Sequence, residues 1–175
     1  MTDPSFFGYG SLVNLATHDF LNPRKARLTG WRRIWEQAAT RPVAFLSVHQ
    51  ADGAIDGLIC DVPNADWAAL DEREHAYRRH DVSDTLGGQT AIYQADPTKT
   101  APPSTGHPIL LSYLDVVVQG FLQNFGEQGV ADFFASTDGW GPIKDDRNAP
   151  HYPRHQVLSP NETALVDKHL AAIMK

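Results

Sequence analysis

Cysteine is almost absent from this 175-residue chain, where Cys60 stands alone. That excludes an intramolecular disulfide and a thiolate-built metal cluster. The apolar run Leu58-Ile59-Cys60-Asp61-Val62 points to a buried, inert thiol. Positive charge is also short. Lys and Arg number 15 against 21 Asp and Glu, a formal net charge of 15 − 21 = −6. This argues against a nucleic-acid or anionic-membrane partner, since either wants a basic face. No run approaches the ~18 apolar residues of a membrane-spanning helix. Met1-Thr2-Asp3-Pro4-Ser5 has neither the positive region nor the apolar stretch of a signal peptide. These absences predict a soluble, cytoplasmic protein. There is no phosphate-binding P-loop, and Gly10-Ser11-Leu12 lacks the second glycine of a hydrolase nucleophile elbow. Eight histidines raise the question of a metal. His75 and His80 do not have helical ligand spacing. His151 and His155 do, but Pro150 and Pro153 argue against a helix there. No metal and no cofactor are expected.

What is present is a hydrophobic fraction of 42% on a length suited to one domain spanning residues 1–175. Phe6-Phe7-Gly8-Tyr9-Gly10-Ser11-Leu12-Val13-Asn14 reads as a short aromatic strand. It stops in a tight turn, where glycine permits close backbone approach or positive φ. The amides of Gly10, Ser11 and Leu12 are then free to face an anion; an ordinary turn is the alternative. Residues 27–37 read as a strand. Residues 42–49 and 55–62 flank Asp52-Gly53 and predict a hairpin turning there. Residues 64–77 predict a helix capped by Asn64, with Asp66 in its first turn. Residues 81–95 look extended around a Gly87-Gly88 break, and 96–108 form a loop. Ser112-Tyr113-Leu114-Asp115 opens a helix in capping-box fashion, and Gly126 can end it. A short helix covers 130–135, residues 137–155 are irregular, and Ser159-Pro160-Asn161-Glu162 caps a last helix. Strands dominate the first half and helices the second, an α+β pattern.

One carboxylate is out of place. With Trp67 at 0° and about 100° per residue, Leu70 falls at about 300°, Tyr77 at about 280° and Glu74 at about 340°. Glu74 thus lies within the apolar stripe, while Asp71 sits at its edge and Glu72 on the opposite side. A glutamate there must be paired, hydrogen-bonded or neutral, and desolvation raises its pKa. That suits a general base near neutral pH. A buried salt bridge, for instance to Arg78, or snorkelling at the helix end is the alternative.

Phe7-Gly8-Tyr9-Gly10-Ser11-Leu12, then Leu70-Asp71-Glu72-Arg73-Glu74 and Tyr77, then Ser112-Tyr113-Leu114, resemble the ordered motifs of the γ-glutamylcyclotransferases over roughly residues 5–130. The resemblance implies a small mixed β-barrel with flanking helices. It implies a reaction in which a γ-glutamyl amine or peptide closes on itself, giving 5-oxoproline and a free amine. It assigns Glu74 as the catalytic acid/base. It assigns Tyr9, Gly10, Ser11 and Leu12 to the substrate-binding loop and Tyr113 to the pocket. The implied partner is a small-molecule γ-glutamyl substrate, and a homodimer is compatible with the family. The chain departs from the family in having His75 after the glutamate, where many members have glycine, and in the stretch 137–155. Trp140, Arg147, Tyr152 and Arg154 of that stretch are candidates to close over the pocket and set leaving-group specificity; an ordered surface loop is the alternative. A γ-glutamyl-binding module without turnover and a γ-glutamyl amide hydrolase are the alternatives.

Overall fold

The computed structural model describes residues 3–174. Met1 and Thr2 of the N-terminal stretch, and Lys175, lie outside the described residues. Strand β1 (Ser5–Gly8) is buried at every position. It pairs antiparallel with β3 (Phe45–Asp61) on one side and parallel with β5 (Thr90–Ala95) on the other. A strand enclosed in this way can be apolar on both faces. Phe7 points into the main core with Leu28, Trp35, Val117 and Phe121, whereas Phe6 joins a second cluster of Cys60, Val62, Leu70 and Tyr93. Strand β2 (Arg24–Ala38) runs antiparallel to β3 from Arg24 opposite Ile59 to Glu36 opposite Phe45. Strand β4 (Tyr77–Asp81) pairs with β5, and β6 (Thr100–Ala101) with β2. The order β4-β5-β1-β3-β2-β6 makes a curled half-barrel, in keeping with the α+β expectation. Strand β8 (Thr137–Asp138) adds to β2, and β7 (Ile109–Leu110) pairs separately with β9 (Ile143–Lys144).

Among the described residues, four α-helices flank the sheet. They are α1 (Trp67–Arg73), α2 (Ser83–Leu86), α3 (Leu111–Ala135) and α4 (Pro160–Ile173). No helix among the described residues is long and apolar enough to cross a membrane. Helix α4 opens with the expected cap, which proves to be a capping box: Ser159 Oγ accepts from the Glu162 amide, and the Glu162 carboxylate accepts from the Ser159 amide. Helix α3 breaks at Gly126 (φ 71°) and resumes to Ala135, as the glycine and the separate short helix predicted.

Residues 81–95 are not extended throughout, since Ser83–Leu86 forms α2 before β5 begins at Thr90. Three further expectations are corrected. Residues 42–49 and 55–62 do not pair with one another. Residues 45–49 and 55–61 of these runs fall in the two halves of one bent strand, β3, which pairs with β2 on both sides of the bend. Asp52-Gly53 lies in a bulge: Thr29 faces Ala54 and Trp31 faces Gln50, so Gly30 alone spans residues 51–53. Gly30 and Gly53 take φ of 82° and 133°, which other residues adopt only with strain. The bulge coils the ribbon instead of reversing it. Second, the helix after β3 is shorter than residues 64–77. Asn64 sits at φ 55° in a 3₁₀ turn, and Asp66 is the cap, accepting from the Ala69 amide at 3.1 Å. The helix ends at Arg73 because Tyr77–Asp81 pairs with β5, and a ladder outcompetes the continuation of a marginal seven-residue helix. Third, Ser112 does not cap α3. Leu110 is at that position with no side-chain bond, and the cap comes from Asp146, 34 residues on.

Candidate active site

The carboxyl end of β1 opens into a cavity of about 370 Å³ lying between the two core clusters. Its floor is apolar, with Phe6, Phe7, Leu46, Leu70 and Leu110. Its polar groups are the turn Tyr9-Gly10-Ser11-Leu12, the carboxylate of Glu74, the phenols of Tyr77, Tyr93, Tyr113 and Tyr152, and the guanidinium groups of Arg41 and Arg154. All six residues expected at the site, Tyr9, Gly10, Ser11, Leu12, Glu74 and Tyr113, line this one cavity.

Glu74 is not in the helical stripe; it caps the C-terminus of α1. Its amide donates to the Leu70 carbonyl at 2.9 Å, and its carbonyl accepts from the Tyr77 amide at 2.8 Å. The half-buried side chain is placed by that cap. Arg78 pairs with Asp96 at 2.8 Å. Glu74 is close enough to Tyr9, Tyr77 and Tyr93 to act on all three. Burial, reinforced by neighbouring phenols and by the Glu74 charge, lifts the Tyr9 phenol well above its ordinary range. Burial likewise lifts Tyr77, with Glu74 adding and the Arg41 guanidinium opposing. Tyr93 is raised by burial, by its 2.8 Å bond to Asp71 and, to a smaller degree, by Glu74. All three phenols therefore stay protonated at neutral pH and add no charge. Tyr9 Oη donates to the Tyr93 carbonyl at 2.6 Å and Tyr77 Oη to the Leu46 carbonyl at 3.2 Å, which fixes the rings around the carboxylate.

The opposite wall is the 3₁₀ turn Ser11–Val13. Close approach, not positive φ, is what its glycines supply. A Cβ on Gly10 would lie 3.0 Å from Tyr113 Oη. Burial pushes the Tyr113 phenol up, while the Ser11 hydroxyl and amide beside it pull it back, so Ser11 faces the Tyr113 hydroxyl. The Gly10 and Leu12 amides donate to no acceptor among the described residues. The turn is held from behind by α3. Gly120 lets the backbone of Asn14 approach to where a Cβ would sit 2.6 Å from its nitrogen. Asn14 Nδ2 donates to the Val116 carbonyl at 2.9 Å, and Asn124 Nδ2 to the Val13 carbonyl at 2.9 Å. Arg33, with no exposure, donates from Nε to the Tyr9 carbonyl at 2.6 Å and also bonds Ser136 Oγ and the Asp56 carbonyl. Its guanidinium lies 4.7 Å and 5.1 Å from the ring centroids of Phe121 and Phe133. Burial pulls it down to about 9, with Asp56 opposing, and it remains charged at neutral pH.

The third wall comes from the late stretch. Asp146 accepts from the Ser112 amide (2.8 Å), the Ser112 hydroxyl (2.6 Å) and the His151 amide (2.8 Å). Arg147 grips Asp115 with two bonds of 2.9 and 2.8 Å and reaches Asp167 at 2.8 Å. This clasp brings Tyr152 edge-on to Tyr113, with ring centroids 5.0 Å apart, and carries Arg154 to the cavity. Of the four candidates in 137–155, Tyr152 and Arg154 line the cavity. Trp140 instead stacks on Phe134 at 5.2 Å, and Arg147 serves the clasp. Arg41, Tyr77 and Tyr93 were not expected at the site. Arg41 sits in the β2–β3 connection and Tyr93 on a strand, where no local motif marks them, and Tyr77, part of the motif that carries the resemblance, was not assigned to the site.

Cys60 is buried, as expected, and burial pushes its thiol up to about 11. His151 and His155 are both exposed, and His155 Nδ1 bonds the Tyr152 carbonyl at 2.8 Å.

A half-barrel with a concave, mostly apolar cavity and a few convergent polar groups defines a small-molecule site. The comparisons with known proteins agree with that class. The family described as Gamma-glutamyl cyclotransferase, AIG2-like, matches residues 6–110, and the chain belongs to it. Among solved structures the chain is similar to YkqA from Bacillus subtilis, with 16% identity and a TM-score of 0.53 over 79% of this chain. It spans 57% of the YkqA chain, and the likeness is one of fold. A γ-glutamyl cyclotransferase specific to glutathione from yeast aligns at 12% identity and a TM-score of 0.46, covering 98% of this chain and 99% of that one. No curated protein matches. The family match ends before Tyr113, Tyr152 and Arg154.

Proposed function

We propose that the protein is a γ-glutamyl cyclotransferase that converts a γ-glutamyl amine or peptide to 5-oxoproline and a free amine, with Glu74 as general acid/base. One observation carries this reading: Glu74 and the Gly10–Leu12 turn face the same cavity. The turn's amides hold the glutamyl carboxylate. Glu74 takes a proton from the substrate's α-ammonium. The freed amine attacks the γ-carbonyl carbon, closing a five-membered ring and placing negative charge on the carbonyl oxygen. When the C–N bond to the leaving group breaks, Glu74 returns that proton to the departing nitrogen, and the ring nitrogen's second proton passes through the same carboxylate to the released amine, which leaves as its ammonium while the ring closes as the neutral lactam. Nucleophile and electrophile belong to one molecule, so the enzyme's task is to hold the folded conformer. Tyr113, kept protonated by burial, offers a donor on the same wall.

A panel of γ-glutamyl compounds with mass-spectrometric readout tests this. Release of 5-oxoproline is expected, whereas free glutamate would mean hydrolysis and a bound but unprocessed ligand would mean a binding module. Glu74→Gln is expected to lose roughly 10²–10⁴-fold in kcat. Full activity in that variant would remove Glu74 from the mechanism.

A further inference from the structure

The charges lining the cavity do not balance with a bare γ-glutamyl group inside. Two guanidinium groups, Arg41 and Arg154, and one carboxylate, Glu74, line it, a local excess of cations in a chain of net charge −6. No ion pair joins Arg41 or Arg154 to a carboxylate among the described residues. The γ-glutamyl group brings one ammonium and one carboxylate. The ammonium is matched by Glu74. The carboxylate is matched by the amide turn or, at most, by one arginine. At least one guanidinium is left without an anion.

Exposure says where that guanidinium lies. Tyr9, Leu46, Tyr93 and Leu110 are buried on the cavity floor, while Arg41 and Arg154 are exposed. The arginines therefore stand at the mouth, where the leaving group emerges. Their supports differ. Arg41 lies over the Phe45 ring at 5.3 Å, on the Tyr77 side. Arg154 follows Tyr152, which the Asp146–Arg147 clasp presses onto Tyr113.

Resting on the cyclotransferase reading, we infer that Arg41 and Arg154 are specificity-determining residues that select γ-glutamyl compounds whose leaving amine carries its own carboxylate. Guanidinium suits this role because its fork matches a carboxylate with two parallel hydrogen bonds. A neutral or cationic leaving amine would leave the pair unmatched or repelled.

The test compares γ-glutamylglycine with γ-glutamylglycinamide, which differ only in the terminal charge. Wild-type protein is expected to favour the acid by about tenfold or more in kcat/KM, equivalent to about 1.4 kcal/mol, mostly through KM. In Arg41→Gln and Arg154→Gln the acid-to-amide ratio falls, and in the double variant it approaches one. Equal use of both compounds by wild type, or a preference that survives the double variant, overturns the inference while leaving cyclotransfer intact. Calorimetry of the same two ligands on Glu74→Gln protein reads the preference without turnover. Tighter binding of the acid there supports the inference even if no 5-oxoproline forms in the wild type. Wild-type protein that neither binds nor turns over either ligand overturns both readings.

Discussion

Replacing Asp146 by alanine should detach the late stretch from the start of α3. The carboxylate is 4% exposed and accepts three hydrogen bonds, of 2.8, 2.6 and 2.8 Å, two of them from backbone amides. Loss of a helix cap costs about 0.5–2 kcal/mol. Each further bond to a charged acceptor contributes about 1.5–3 kcal/mol. Against this, alanine removes the cost of burying a carboxylate, which for an ion without a salt-bridge partner is itself several kcal/mol. The balance is a net loss of about 2–4 kcal/mol. At about 2–4 °C per kcal/mol for a chain of this size, the melting temperature falls by about 4–16 °C. Urea denaturation followed by tryptophan fluorescence measures the free energy. Asp146→Asn keeps an acceptor for the Ser112 amide but turns an NH₂ toward the His151 amide, so it should lie between wild type and alanine. The pH dependence has a definite sign. Burial pushes the Asp146 carboxyl up, but the bonds from Ser112 and His151 outweigh it and hold the group below the ordinary carboxylate range. A carboxyl that titrates lower in the folded than in the unfolded state stabilises above its unfolded pKa. The contribution disappears as pH falls through the folded value. The gap between wild type and Asp146→Ala is therefore constant near neutrality and closes in acid below about pH 4. A variant within about 0.5 kcal/mol of wild type, the scatter of ordinary surface substitutions, or a gap that widens in acid, would refute the reasoning.

Other perturbations probe the wall behind the glycine turn. Arg33→Met removes the donors to the Tyr9 and Asp56 carbonyls. Since each unsatisfied buried acceptor costs about 1–3 kcal/mol, and relief of the buried charge offsets part, a loss of about 2–4 kcal/mol is expected in chemical denaturation; wild-type stability would contradict the role assigned to Arg33. Gly120→Ala drives a methyl to within 2.6 Å of the Asn14 nitrogen. It should cost about 1–3 kcal/mol and raise KM for a γ-glutamyl substrate by displacing the turn, which steady-state kinetics and melting would show together.

Much of the site was legible because its signals are local. The aromatic strand ending in Gly-Tyr-Gly-Ser and the misplaced carboxylate Glu74 are each visible within a few residues. Glu74 nevertheless reached the cavity for a different reason from the one the helical angles suggested. The stripe calculation assumed a helix to Tyr77, whereas the chain leaves the helix at Glu74 and enters β4. An expectation can thus place a residue well while misreading the element that holds it.

By itself the sequence determined the pieces whose causes are short-ranged: the cap at Ser159–Glu162, the break at Gly126 and the β-prone runs that became β1, β2 and β3. Tertiary structure decided everything that depends on a distant partner. Asp52-Gly53 has the residues of a hairpin turn, yet it is a bulge because both flanking runs find their ladder in β2. Ser112 looks like a cap, yet Asp146 supplies the cap from across a loop. Arg41 and Tyr93 meet Glu74 in one cavity though nothing in their neighbours announces it. Local conformation is set by a few adjacent dihedrals and caps, whereas pairing and burial are competitions among all segments of the chain, and only the folded chain shows which partner wins.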